Sequence, residues 1–411
     1  MRILVIGSGG REHALAWRLK QNGHELFSAP GNPGMAREGT VVASTDYLSA
    51  ALELRPDLTV VGPEAPLVAG VVDEFRASGL KIVGPDRVNA QLEASKTYSK
   101  RFMNEAGIPT ARWAEVDTFE DAKKAVRTFT LPAVIKADGL AAGKGVIIAH
   151  SYSEAEAAIE SLGPKLVIEE FLTGEEVSFI ALCDGRSVLP FEPTQDHKAV
   201  HDNDEGPNTG GMGAYCDSRI LTARESALVM DTIMRPAVER TGFTGFLYAG
   251  LMMTAEGPKT LEFNVRLGDP ETQALMHRMD CDFGEVLLAC AESRLDTVAF
   301  AWRPEPSVAV VLAADGYPAK VRTGDEIHGI DAAEAKGATV YQAGTKIDGG
   351  GKLVTAGGRV LAVTASAPML ASSISNAYAA AAEIHFDGMH YRTDIGRKGL
   401  RTFERPSQAG Y

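Results

Sequence analysis

Cysteine is scarce in this chain. Cys183, Cys216, Cys281 and Cys290 are its whole complement in 411 residues, and no two form a Cys-x-x-Cys pair. That usage argues against a disulfide-built fold and points to a reduced, cytoplasmic protein. Positive charge is short as well. A formal charge of −13 argues against a nucleic-acid-binding surface, so an anionic substrate must be held by a local basic site. No apolar run is long enough to span a bilayer, and no targeting segment is expected ahead of Ile3, which already opens a strand. Internal repeats and low-complexity tracts are missing too. So is a Walker phosphate loop: Asp138 stands where its first glycine belongs, and Gly145 follows the lysine in place of Ser or Thr.

What is present is a soluble-enzyme composition, 45% hydrophobic, in a chain long enough for several domains. Residues 1–89 read as a small doubly wound, Rossmann-like α/β domain. An apolar strand at 2–6 turns through Gly7-Ser8-Gly9-Gly10-Arg11-Glu12-His13 into a helix, and further strands are expected at 58–62 and 81–84. A glycine loop feeding a helix N-terminus suits phosphate or, equally, is only a tight turn. The dinucleotide pattern fails here, with Glu12 at a required glycine and Ala29-Pro30 where an acidic residue should close the second strand. Glu64, just past a parallel strand, lies where open α/β sheets bind ligands.

Residues 90–303 read as a central unit with a subdomain at about 118–189, and residues 304–411 as a small α+β domain beyond the Arg303-Pro304-Glu305-Pro306 junction. A single helix is expected over 91–105, carrying Lys96 and Lys100 one turn apart. Another is expected over 153–161 with Ser153 as its N-cap. Residues 131–149, LPAVIKADGLAAGKGVIIA, read as a β-hairpin whose small-residue loop exposes backbone N–H groups beside Lys136 and Lys144. That is a polyphosphate site or, equally, a flexible turn with solvated lysines. Gln195-Asp196-His197-Lys198 and Pro207-Asn208-Thr209-Gly210-Gly211-Met212-Gly213 flank an acidic, mobile-looking connection. His197 has no partner at zinc-ligand spacing. Asp394-Ile395-Gly396-Arg397 is expected to return a cation to the site.

The sharpest local signal is TLEFNVR at 260–266. Alternation sets Glu262, Asn264 and Arg266 on one face and Leu261, Phe263 and Val265 on the core face. Oxygens at i and i+2, roughly 6–7 Å apart along a strand, can share one hard cation such as Mg²⁺. The arginine beyond can hold an anionic acyl or phosphoryl group. A plain amphipathic strand would alternate as well.

Taken together, these motifs resemble the phosphoribosylamine–glycine ligase family of ATP-grasp enzymes. The likeness rests on GSGGREHALAW at Gly7, VGPEAPLVAGVVD at Val61, IKADGLAAGKGV at Ile135, IEEFLTGEE at Ile168, QDHK at Gln195, GPNTGGMGAY at Gly206, LEFNVRLGDPETQ at Leu261 and YRTDIG at Tyr391. The resemblance implies a Rossmann-like N-terminal domain, ATP-grasp central domains with a mobile lid, and a small C-terminal domain. It implies ATP bound by Lys96, Lys136, Lys144 and Asn208, with Glu169, Glu170, Phe171, Leu172 and Glu176 around adenine and ribose. Glu262 and Asn264 would hold Mg²⁺ or Mn²⁺. Gly9, Gly10, Arg11, Glu12, Glu64, Asp196, Lys198, Thr209, Gly210, Gly211 and Asp269 would surround glycine and 5-phosphoribosylamine. Arg266, Lys144 and Asn208 would serve the chemistry, in a cytoplasmic monomer without nucleic-acid or membrane partners. Two departures stand out: Ala199 replaces an arginine of the family pattern, and the stretch between Lys144 and Ile168 is short and lacks a Phe-Gly loop.

Overall fold

The computed structural model describes residues 1–140 and 145–403. Five apolar stretches, β1 (Arg2–Gly7), β2 (Glu25–Pro30), β3 (Thr40–Val41), β4 (Leu58–Val61) and β5 (Ile82–Val83), form a parallel sheet in the order β3-β2-β1-β4-β5. Both faces are covered, which is why β1 is apolar throughout rather than alternating. Ile3 and Val5 enter one core, Leu4 and Ile6 the other. The helix Gly10–Gln21 covers the first face and packs on the helix Glu271–Arg278 from the central part of the chain.

The subdomain read from the resemblance as a lid is built on a four-stranded antiparallel sheet, β6 (Trp113–Val116), β7 (Ala133–Ala137), β8 (Val146–Ala149) and β9 (Leu166–Glu170), in the order β6-β9-β7-β8. Two helices, Phe119–Val126 and Tyr152–Leu162, close a separate core around Ile135, Ile159 and Ile168. The β7–β8 hairpin pairs Ala133 with Ala149 and Lys136 with Val146. The tip of its loop, including Lys144, lies outside the described residues.

A nine-stranded sheet makes the rest. Its first part holds β10 (Glu175–Asp184), β11 (Val188–Pro190) and β12 (Thr194–Asp196), after which β13 (Ala199–His201) and β14 (Glu205–Asn208) leave it as a separate ribbon. It continues with β15 (Gly213–Cys216), β16 (Thr244–Thr254), β17 (Gly257–Asn264) and β18 (Ser307–Ala313). Then come β19 (Thr339–Gln342), a second ribbon of β20 (Thr345–Ile347) and β21 (Leu353–Thr355), and β22 (Arg359–Ser366). Because β15 pairs with β18, the sheet runs on across the Pro-rich junction at 303–306. Among the described residues no helix is long and apolar enough to cross a membrane.

Three local expectations give way to the structure. The helix expected over 91–105 breaks at Ser95, which is extended (φ −130°, ψ 118°) and separates Gln91–Ala94 from Lys96–Ala106. Ser95 Oγ accepts from Tyr98 N (3.1 Å), and the distant Asp138 carboxylate accepts from Lys96 N (2.6 Å). A hydroxyl cap and a carboxylate at the new helix N-terminus outweigh the i, i+4 continuity. The cap of the next lid helix is Ser151, not Ser153: Ser151 Oγ accepts from Glu154 N, and Glu154 accepts from His150 N. The acidic connection between Lys198 and Asn208 forms a β-ribbon. In β17 the pairing slips between Gly250 and Leu251, so that Gly250 faces Glu262 while Leu251 faces Thr260. This bulge turns Leu261 out of the main core and beside the ligand cavity.

Candidate active site

The parallel sheet, the lid and the central sheet enclose a cavity of about 390 Å³. Arg11 and Glu64 come from the N-terminal part, Lys136 and Glu169 from the lid, Glu262, Asn264 and Arg266 from β17 and the turn after it. Among the described lining residues, carboxylates outnumber ammonium and guanidinium groups.

At the lid end, Glu169 lies between two lysines. Its Oε2 accepts from Lys100 Nζ and its Oε1 meets Lys136 Nζ, both at 2.8 Å, and all three side chains are at least nine-tenths buried. Burial pushes Lys100 down to about 8 despite Glu169 beside it. For Glu169 burial acts upward, but Lys136 and Lys100 prevail and hold it below the usual carboxylate range. The Glu170 carboxylate accepts from Arg112 N (2.8 Å). Glu170, Phe171 and Leu172 all stand at the cavity wall. Lys96 reaches Gly139 O (2.8 Å), and Glu176 pairs with Lys198 (2.7 Å).

On β17, Glu262, Asn264 and Arg266 do reach the cavity together. Among the described residues, no hydrogen bond or ion pair meets the Glu262 carboxylate. Burial alone would raise its pKa, yet Lys198, Lys136 and Lys96 around it keep it low and ionised. Asn264 Oδ1 accepts from Arg266 Nη2 (3.2 Å). Arg266 is gripped by Glu93 (2.6 Å) and faces Glu64 (3.4 Å). Glu93 also accepts from Val265 N (2.8 Å), and burial raises its pKa.

The glycine loop works differently from its sequence expectation. Glu12 folds back into it, accepting from Gly9 N and Arg11 Nε, each at 2.6 Å. Gly7 and Gly62 make room for this side chain; a Cβ on either would come within 2.4 Å of it. The Gly9 N–H is thereby used internally. Gly9 and Gly10 stand behind Asp269, with a Cβ on either less than 4 Å from its carboxylate. Arg11, Glu64 and Asp269 line the cavity, whereas Gly9, Gly10 and Glu12 form the layer behind.

Asn208, Thr209 and Gly210 also line it, as does Asp196, which burial pushes up to about 7 against the opposing pull of Lys198. Gly211 sits beneath, its N–H donating to Thr209 Oγ1 (2.9 Å). Ala199 is buried in the ribbon opposite Asn208, so no cation stands there, and Lys198 is already paired with Glu176. Neither Asp394 nor Arg397 reaches the cavity. The cation that arrives from the C-terminal part is Arg359, which donates to Gly210 O (2.7 Å) and lies 3.3 Å from Asp269.

Sequence reasoning set Lys100 one turn after Lys96 without giving it a part in the site, and missed Glu93, Arg359 and the Tyr248–Glu271 pair, in which Tyr248 donates to Glu271 at 2.9 Å. A buried-face lysine at 100, one turn after Lys96, was the single signal available. The others depend on partners far away in the chain.

Family models match the chain in three consecutive pieces. Residues 1–93 match the phosphoribosylglycinamide synthetase N domain, 94–272 its ATP-grasp (A) domain and 307–398 its C domain. The phosphoribosylamine–glycine ligase of Escherichia coli K12 is 48% identical over 97% of this chain and 99% of its own length, and that of Yersinia pestis is equally similar. The crystal structure of phosphoribosylamine–glycine ligase from Thermotoga maritima, 35% identical, superposes with a TM-score of 0.84 over 96% of this chain and 100% of that one. A biotin carboxylase domain from Hydrogenobacter thermophilus, solved with MgADP and bicarbonate, shares the fold at 15% identity (TM-score 0.71, 98% of this chain and 99% of that one). The chain thus belongs to the phosphoribosylglycinamide synthetase family.

Proposed function

We infer that the protein is an ATP-dependent ligase of purine biosynthesis that joins glycine to 5-phosphoribosylamine, yielding glycinamide ribonucleotide, ADP and phosphate. The observation that carries this reading is the meeting of Lys96, Lys136, Glu262 and Arg266 in one cavity of a chain of this family. A glycine carboxylate oxygen attacks the γ-phosphorus of ATP, the bond to the β–γ bridging oxygen breaks, and ADP leaves. The amine of 5-phosphoribosylamine then attacks the carbonyl carbon of glycyl phosphate. Phosphate departs and the new amide nitrogen loses its proton. Catalysis of the first step is mostly positioning and charge neutralisation.

Lys96 and Lys136 at the cavity wall would take polyphosphate oxygens, and the family resemblance adds Lys144 to them. Glu262 and Asn264 fit a divalent cation: a half-buried, ionised carboxylate that accepts no hydrogen bond among the described residues and an amide oxygen on one face are hard-oxygen ligands. Mg²⁺ or Mn²⁺ held there would neutralise phosphate charge. Arg266, kept rigid by Glu93, presents a fork to the acyl phosphate, and Arg11, Glu64, Asp196, Thr209, Gly210 and Asp269 surround the glycine and ribosylamine end. The scarcity of cysteine in the sequence supports a reduced cytoplasmic setting.

The test is a coupled assay of substrate pairs. ATP, glycine and 5-phosphoribosylamine should give ADP, phosphate and glycinamide ribonucleotide in equal amounts, with ¹⁸O from glycine carboxylate appearing in the phosphate. Preference for another amino acid, or unlabelled phosphate, refutes the substrate or the intermediate respectively.

A further inference from the structure

Lys198 and Asn208 face the cavity from the two ends of the β13–β14 ribbon, whose root is closed by Thr209 donating from both N and Oγ1 to Lys198 O at 2.8 Å. The ribbon has little to hold it in place on its own. Its outer strand, β14, is exposed along its whole length. Its turn residues Asn203 and Asp204 both have positive φ, 60° and 58°, which costs free energy for side chains other than glycine. An isolated two-stranded ribbon is marginal at best in water.

The support comes from segment 390–398, far along the chain. His390 Nε2 contacts Val200 O (2.9 Å), and Arg392 Nη1 donates to Ala199 O (3.1 Å) and Asp204 Oδ1 (3.0 Å). Thr393 N donates to Asp202 (2.7 Å), Asn203 N to Asp394 (2.9 Å), and Lys398 pairs with Asp204 (2.7 Å). Arg392 is fully buried, and its remaining guanidinium nitrogens are both taken by Asp394 at 2.7 Å. One guanidinium therefore ties the inner strand, the turn and the C-terminal segment together.

We propose that segment 390–398 is a clamp that positions Lys198 and Asn208 in the site, and that Arg392, which does not line the cavity, is a positioning residue for the ligation. The proposal rests on the reading that these two ribbon-root residues serve the reaction. It gives the YRTDIG motif a task other than returning a cation to the cavity.

The test is a double-mutant cycle on the full-length enzyme. Lys198→Met and Asn208→Ala are assayed alone and each combined with Arg392→Met, with kcat and the KM values for ATP, glycine and 5-phosphoribosylamine measured separately. Arg392→Met should lower kcat/KM about tenfold in the wild-type background. It should lower it less than about twofold once the root residue through which it acts is gone, and Arg392→Lys should recover part of the loss. Equal losses in both backgrounds would make Arg392 a merely structural residue and overturn the clamp. Wild-type kinetics for both Lys198→Met and Asn208→Ala would instead remove the root residues from the site, and the clamp with them. Should Arg392→Met fail to fold, Asp202→Ala at the ribbon turn carries the same cycle, and hydrogen exchange at 199–208 should quicken in it while the lid sheet is unchanged. Unaltered exchange and unaltered kinetics in Asp202→Ala would refute the proposal.

Discussion

Glu169→Gln separates two roles for the same carboxylate, a nucleotide contact and an internal counter-ion. The side chain keeps its size, but two buried lysines lose the anion between them. Each charge-assisted contact contributes on the order of 1.5–3 kcal/mol, and breaking a buried ionic cluster by removing one member costs about 3–5 kcal/mol. Lys100 limits the damage. Its pKa is already about 8 with Glu169 present, so without the anion it deprotonates near neutral pH instead of remaining as an uncompensated charge. The net loss should be about 2–4 kcal/mol at pH 7.5, read by urea denaturation of the two proteins side by side.

The pH dependence has a definite sign. The folded-state pKa of Glu169 lies below its ordinary value of 4.5. Its contribution is complete above that ordinary value and disappears as pH falls through the folded value, because the unfolded chain then binds more protons. The stability gap between wild type and Glu169→Gln should therefore shrink below about pH 4.5. ATP affinity should hold or rise, since Lys136 no longer has a carboxylate competing with phosphate. A variant of unchanged stability that binds ATP tenfold or more weakly would refute the counter-ion role and make the side chain a nucleotide contact.

Other outcomes follow from the same geometry. Glu262→Gln should raise the Mg²⁺ concentration needed for half-maximal activity with little change in melting temperature, whereas Phe263→Ala, fully buried on the opposite face, should cost roughly 3–5 kcal/mol of stability. Arg266→Lys keeps the charge but loses the fork, so kcat should fall while the Mg²⁺ titration stays in place. Lys144→Ala should depress kcat more than ATP binding in single-turnover measurements. Asp196 has its folded pKa raised to about 7, so wild-type stability should decline as pH rises from its ordinary value of 3.8 through 7. Asp196→Asn should accordingly gain on wild type in thermal melts at pH 8 and not at pH 4.

The sequence by itself determined what depends on near neighbours. Apolar runs announce the doubly covered β1 and β4, Gly and small residues announce the β7–β8 hairpin, and alternation in TLEFNVR sets Glu262, Asn264 and Arg266 beside one another, because strand and turn preferences are local. Tertiary structure alone decided how those side chains are used. Whether Glu12 faces a ligand or its own loop depends on the space left by Gly7 and Gly62. Whether the helix continues through Ser95 depends on Asp138 arriving at its end. Glu93 grips Arg266 across 173 positions, and Arg392 holds the carbonyl of Ala199 across 193. No periodic pattern encodes such pairs. They are charges and donors brought together when separate apolar faces pack, and their energies depend on the burial that packing creates.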